Sequence, residues 1–245
     1  MSEKKIKIVS GTLIHNRMFV LPYFLHYLEK VEGIDKRIFL ANNCTEECLS
    51  LLSKYGQVYE YNEVDSTENR SSGRFHTLVK LRNRLLDIVF KEHKADFLMS
   101  VDSDILPQPK IVKNLLEFDK DFISALVYND LHFGRQDRKH TEHIGNIMSF
   151  SGNSKNHFKH IKPIVRNILI PVDMTGAVVL ISKQVYSSGV KYVWHRQGED
   201  PGFALECYKK GIQQFCFTQL QEHVMLPNIL ENLIKEGKVK EIALE

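Results

Sequence analysis

The sequence predicts an α/β fold: a single domain with a mostly parallel central sheet flanked by helices. Three observations predict it. Short β-branched or aliphatic runs alternate with helical patterns through the first half of the chain. The run Phe97-Leu98-Met99-Ser100-Val101 is apolar throughout apart from Ser100, as in a strand buried in the middle of a parallel sheet. And 245 residues at 43% hydrophobic and 26% charged content suffice for one substantial core.

Each element follows in order. Residues 5–10 read as the first strand, after which Gly11 is expected to turn the chain. Residues 18–31 read as a helix with Pro22 in its first turn, where a missing N–H costs nothing. Residues 36–41 form a second strand closed by Asn42-Asn43, and 45–55 a helix whose Glu46 and Glu47 face the positive end of its dipole. Residues 58–61 make a short third strand. A polar, Ser-rich loop at 63–73 leads to a helix at 75–91, where Leu78, Leu81, Leu85, Ile88 and Val89 recur at helical spacing.

The buried strand 97–101 ends on Asp102, and a helix at 111–118 and a strand at 122–127 follow. Between 129 and 162 the composition shifts to His, Lys, Arg, Asn, Ser and Gly without periodicity, which predicts a long functional loop. Strand patterns return at 164–172 and 177–182. Residues 200–210 read as a helix capped by Asp200, with Pro201 first and Gly211 ending it. A strand at 214–217 and a helix at 227–235 complete the order.

Thirty-three Lys and Arg against thirty Asp and Glu leave a net charge of +3, too small and too evenly spread for a nucleic-acid footprint. No apolar stretch reaches the roughly 20 residues that cross a bilayer, so no transmembrane segment is expected. The charged start runs directly into a strand, without a secretory segment. Cys44, Cys48, Cys207 and Cys216 lack paired CxxC spacing and read as reduced thiols of a cytoplasmic protein.

The chemistry centres on Asp102-Ser103-Asp104. An Asp-x-Asp is a weak signal alone, and Asp119-Lys120-Asp121 repeats it. The second copy lies between a helix and a strand entrance, on the expected solvated side. Asp102 and Asp104 instead follow a buried strand at its carboxyl end, where open α/β sheets bind ligands. Two carboxylates so spaced can converge on a hard divalent cation that bridges the phosphate oxygens of a nucleotide. The plainer alternative is a turn that caps the helix after Pro109.

These residues resemble the GT-A class of nucleotide-sugar glycosyltransferases, a Rossmann-like fold, including the bacterial family-2-like enzymes and, more distantly, the fungal mannan-polymerase transferases. The resemblance runs over most of the chain. It comprises the first strand with Thr12, the Asn42-Asn43 strand end, the 97–104 segment, Thr175-Gly176-Ala177, and Gly198-Glu199-Asp200-Pro201-Gly202-Phe203 leading to Lys210-Gly211. It implies that Asp102 and Asp104 hold Mn²⁺ or Mg²⁺ on the donor diphosphate and that His223 joins them, imidazole inclining the site toward Mn²⁺. It implies that Asp200, beside Glu199, removes the acceptor proton, and that donor binding falls to Thr12, Asn42, Asn43, Arg74, Arg82 and Ser103 with the acidic pair.

The implied division is a nucleotide-sugar-binding half at 1–104, an acceptor and catalytic half at 105–226 carrying the 129–162 loop, and a C-terminal helix in 227–245. The implied partners are a UDP- or GDP-sugar donor and an acceptor glycan, glycolipid or protein, with no nucleic acid. His140, His143, His157 and His160 fall in the long loop, which reads as a lid or acceptor-binding segment without a complete zinc pattern. Trp194 suits either a sugar face or packing. The alternatives are a sugar-nucleotide nucleotidyltransferase, though Gly11 to Arg17 lacks its Gly-rich basic loop, and a non-catalytic nucleotide-sugar-binding protein.

Overall fold

A computed structural model describes residues 5–63, 70–130, 143–152, 154–162 and 164–242. In chain order the elements are β1 (Ile8–Ile14), α1 (Leu21–Glu29), β2 (Lys36–Asn42), α2 (Glu46–Ser53), β3 (Gln57–Tyr61), α3 (Arg70–Asp87, continued by one π-helical turn), β4 (Phe97–Val101), β5 (Ile105–Leu106), α4 (Ile111–Leu116) and β6 (Phe122–Asp130). Then come β7 (His143–Gly145), β8 (Ile147–Ser151), β9 (Ser154–His160), β10 (Leu169–Val172), β11 (Met174–Thr175), β12 (Val178–Ser182), α5 (Lys183–Ser187), α6 (Glu199–Lys209), β13 (Gln214–His223) and α7 (Pro227–Lys235).

The central sheet runs in the order β10-β13-β6-β12-β4-β1-β2-β3, with β5 added beside β13 and β7 beside β6. Its β4-β1-β2-β3 half is wholly parallel, while β12 enters antiparallel between β4 and β6. Both faces are covered, which explains the near-continuous apolar strands. Phe24 and Leu28 of α1, Leu52 of α2, Val112 of α4 and Leu230 of α7 fill one side, and Leu81 and Leu85 of α3, Val185 of α5 and Phe203 of α6 fill the other.

Several boundaries differ from the sequence expectation. Gly11 does not turn the chain but lies inside β1, where a Cβ would come within 2.7 Å of the Leu85 side chain. Its lack of a side chain lets α3 approach the sheet. Asp200 does not cap α6: the N-cap is Gly198, and Asp200 sits in the first turn. The 129–162 region is not one structureless loop. Strand β6 runs on to Asp130, and β8 pairs antiparallel with β9 and with β11 in a separate three-stranded sheet. This small sheet buries Phe158 and Met174 and stacks Phe150 on Phe158 with centroids 4.9 Å apart. Isolated apolar residues on short polar strands leave too little periodicity to read. Strand β13 also runs six residues past Phe217, to His223.

All four cysteines are free thiols. No helix among the described residues is long and apolar enough to cross a membrane.

Candidate functional site at the carboxyl edge of the sheet

Strands β1, β2, β3 and β4 all end on the same edge because they are parallel, and that edge opens into a cleft of about 490 Å³. Asn42 and Asn43 reach it from the end of β2, Arg74 and Arg82 from α3, Asp102, Ser103 and Asp104 from the end of β4, and Glu199 from the start of α6. Thr12 does not reach it. The residue is fully buried in β1 and its hydroxyl has no partner, while its neighbours Leu13 and Ile14 line the cleft instead.

The acidic triplet is a turn held at both ends. Asp102 N–H donates to the Ala177 carbonyl, and Ile105 N–H returns to the Asp102 carbonyl. Strand β5 then pairs with the end of β13 in the register Ile105 to His223, and Val224 N–H donates to the Asp104 carbonyl. That register puts His223 Nε2 3.5 Å from Asp104 Oδ1. Its Nδ1 lies 3.0 Å from the Tyr128 carbonyl, which can only accept, so Nδ1 carries the proton and the lone pair of a neutral ring faces Asp104.

Charge is closely compensated here. Burial opposes ionisation of Asp104, but His223 and then Arg17, which bonds the other carboxylate oxygen, hold its carboxyl below the usual range. Burial likewise lowers His223, yet Asp104 outweighs it and raises the imidazole. Arg82, only 6% exposed, donates to Asp102 Oδ1 at 2.6 Å and Ser100 Oγ at 2.9 Å, with Glu199 3.9 Å away. Burial works against its charge, and the carboxylates, Asp102 foremost, more than restore it. Arg82 thus ties the triplet to the late acidic pair and is turned toward carboxylates.

Asp200 packs behind Glu199. A Cβ on Gly176 would fall 2.0 Å from Asp200 Oδ2, so the carboxylate occupies the space that a side chain at 176 would fill. Burial and the neighbouring Glu199 push the Asp200 carboxyl up to about 8, with Arg82 acting in the opposite direction. A carboxyl that keeps its proton at neutrality and releases it just above is placed in the range where proton transfer is practical.

The structure brings together in one cleft most of the residues singled out in the sequence. His223 reaches the triplet from beneath, and Asp200 lies in the α6 turn that carries Glu199. Among the described residues no three His, Cys, Asp or Glu side chains converge into a preformed metal cage. Asp104 and His223 nevertheless form a carboxylate and imidazole pair of the right chemistry, and a divalent cation bound through one or two carboxylates completes its shell with substrate phosphates and water. The chemistry of this pair is compatible with Mn²⁺ or Mg²⁺, provided that other ligands complete the shell.

Four polar cleft residues escaped the sequence reading: His15, Arg17, Glu63 and Thr77. Arg17 had a signal, a cation just past a strand that ends beside the acidic triplet. Of the loop histidines, His160 Nδ1 meets the Gly145 carbonyl and His157 meets Arg196, whereas His140 lies outside the described residues and the His143 side chain likewise. Trp194 is 46% exposed and stacks on His76 with centroids 5.6 Å apart.

No protein-family model matches the chain, and no curated protein matches it in sequence. Solved structures do match. A197 from STIV aligns with a TM-score of 0.51 at 11% identity over 91% of this chain and 87% of its own. S. aureus TarS (residues 1–349) aligns at 0.52 and 10% identity over 94% of this chain and 64% of that one, and a mycobacterial protein at 0.50 and 11% over 96% and 76%. What these matches share with the chain is the fold, a Rossmann-like α/β domain with a mostly parallel central sheet flanked by helices.

Proposed function

We propose that this protein is a metal-dependent glycosyltransferase that moves a sugar from a nucleoside diphosphate sugar to a hydroxyl of a glycan, glycolipid or protein acceptor. One observation carries the reading. At the carboxyl edge of the sheet, Arg82 joins Asp102 to Glu199, Asp104 pairs with His223, and Asp200 follows Glu199 in the first turn of α6. That arrangement supports a phosphate-binding end at the triplet and a proton-accepting end at the start of α6.

Asp104 and His223 would hold Mn²⁺ or Mg²⁺, with Asp102 beside them, and the cation would supply compensation for charge on the departing diphosphate. The protein's own groups do the rest. Arg17, free to exchange Asp104 for a phosphate, adds a bidentate donor where the diphosphate would lie. Arg82 fixes Asp102 and Glu199 relative to one another. Asp200 takes the proton of the acceptor hydroxyl, and its raised affinity for protons makes it a stronger base than an exposed carboxylate.

The test is a nucleotide-sugar screen with and without Mn²⁺, read first as thermal stabilisation and then as product. Asp104→Ala is expected to lose transfer while circular dichroism stays unchanged. Wild-type turnover in that variant would sink the assignment. Asp200→Asn is expected to keep donor binding and lose transfer.

A further inference from the structure

The far end of the cleft has a chemical character of its own. Glu63, just past β3, is three strands from the triplet in the order β4-β1-β2-β3. At about 4.8 Å per strand that is about 14 Å, close to the span of a nucleoside diphosphate laid along the sheet edge. With the phosphates at Asp102 and Asp104, the base falls among His15, Asn42, Asn43 and Glu63.

Each of the two asparagine amides at this end already spends one of its Nδ2 hydrogens on the protein itself. Asn42 Nδ2 donates to the Glu63 carbonyl at 3.2 Å and Asn43 Nδ2 to the same oxygen at 2.8 Å, while Asn42 Oδ1 accepts the Glu63 N–H at 2.9 Å. His15 Nδ1 faces the Asn42 carbonyl at 3.3 Å, and Asn16 binds the Asn43 carbonyl. These contacts fix the backbone of Glu63 and leave its carboxylate on the cleft. Lys80 holds one carboxylate oxygen at 2.9 Å from the solvent side. The side chain offered to a base is therefore an anchored pair of acceptors.

We propose that Glu63 selects a guanine nucleotide as donor, by accepting N1–H and the exocyclic N2–H of the base on its two carboxylate oxygens. Guanine alone among the common bases presents two adjacent donors on that edge. Uracil has one N–H flanked by two carbonyls that a carboxylate repels, and cytosine and adenine each pair one amino group with an acceptor nitrogen. The contact is charge-assisted and bidentate, the geometry that discriminates most strongly when a partner is missing. This inference rests on the proposed use of a nucleoside diphosphate sugar.

Calorimetric titration of the full chain with GDP, IDP, UDP, CDP and ADP in the presence of Mn²⁺ tests it. GDP is expected to bind at least tenfold more tightly than UDP, CDP or ADP. IDP, which lacks the N2 amino group, is expected to lose about tenfold against GDP. Glu63→Gln keeps the side-chain shape and turns one acceptor into a donor, and it is expected to weaken GDP at least tenfold while leaving Mn²⁺-dependent UDP binding no weaker than in the wild type. Equal or tighter binding of UDP by the wild type, or an unchanged GDP affinity in Glu63→Gln, overturns the guanine assignment and leaves the transferase reading standing. Failure of every nucleoside diphosphate to bind overturns both.

Discussion

Two Asp-x-Asp triplets of the same chain differ in everything but their sequence pattern. Asp102-Ser103-Asp104 ends a buried parallel strand, and its carboxylates meet Arg82, Arg17 and His223. Asp119-Lys120-Asp121 lies between α4 and β6 at the opposite edge, both its aspartates are exposed, and Asp121 accepts the Ser182 hydroxyl on its carboxylate at 2.6 Å and the Ser182 N–H on its carbonyl at 2.8 Å. The strand direction makes the difference. At the carboxyl edge the sheet gathers side chains from several crossovers into one cleft, whereas at the amino edge an acidic pair meets water and a neighbouring turn.

The comparison can be broken in several places. The largest expected effect is on catalysis: Asp104→Ala is expected to lower transfer by roughly 10³-fold, the scale of removing a group that stabilises developing charge, while Asp121→Ala leaves turnover unchanged in the same assay. Equal losses at both sites would erase the distinction. Next is Arg82→Met, which leaves Asp102 and Glu199 facing each other without their shared cation. Because Asp102 remains 35% exposed, the cost is placed at about 2 kcal/mol, readable as a lowered denaturant midpoint.

Gly176→Ala sets a methyl against Asp200 and is expected to lower Tm and transfer together, whereas Gly152→Ala, with nothing within 4 Å but a φ of +60°, is expected to lower Tm through backbone strain and leave transfer unchanged. The smallest stability effect belongs to Asp121→Ala, about 1 kcal/mol or less for one hydrogen bond at an exposed carboxylate.

A pH series sharpens the contrast further. The Asp200 carboxyl is raised in the folded protein, so between the unfolded and folded values the native state binds more protons. Its contribution to stability is present at low pH and is lost as pH rises through the folded value near 8. Asp200→Asn is expected to be the more stable protein above that pH and to lose transfer at every pH. In the wild type, transfer is expected to rise with pH through the same window, as the base sheds its proton.

Much of this was legible without coordinates. The 97–101 run is β4 residue for residue, and its apolar character placed Asp102-Ser103-Asp104 at the carboxyl end of a buried strand. The wiring between groups was not legible, because it depends on pairings distant in sequence. Nothing local shows that Asn42 and Asn43 use their amides on Glu63, or that Thr12 faces the interior while Leu13 and Ile14 face the cleft. The latter is decided by depth along β1 and not by its alternation, since Thr12 and Ile14 share a face and only the last two residues of the strand reach its carboxyl edge. Asp200 read as a cap for a local reason, since Asp followed by Pro is how many helices begin. Gly198 took that place because its positive φ of 127° suits a turn that an L side chain rarely adopts.

The pairing of β5 with the end of β13 has a consequence for how the site comes into being. Asp104 and His223 lie far apart along the chain, joined only when the final strand docks in the register Ile105 to His223. A parallel four-strand half can form around β1 well before that, with its apolar faces covered by α1, α2 and α3. The Asp104–His223 end would then be the last part to assemble, and the long separation makes its closure slow relative to local helices. A chain interrupted before Glu222 would keep much of its sheet and still present an acidic triplet without its imidazole.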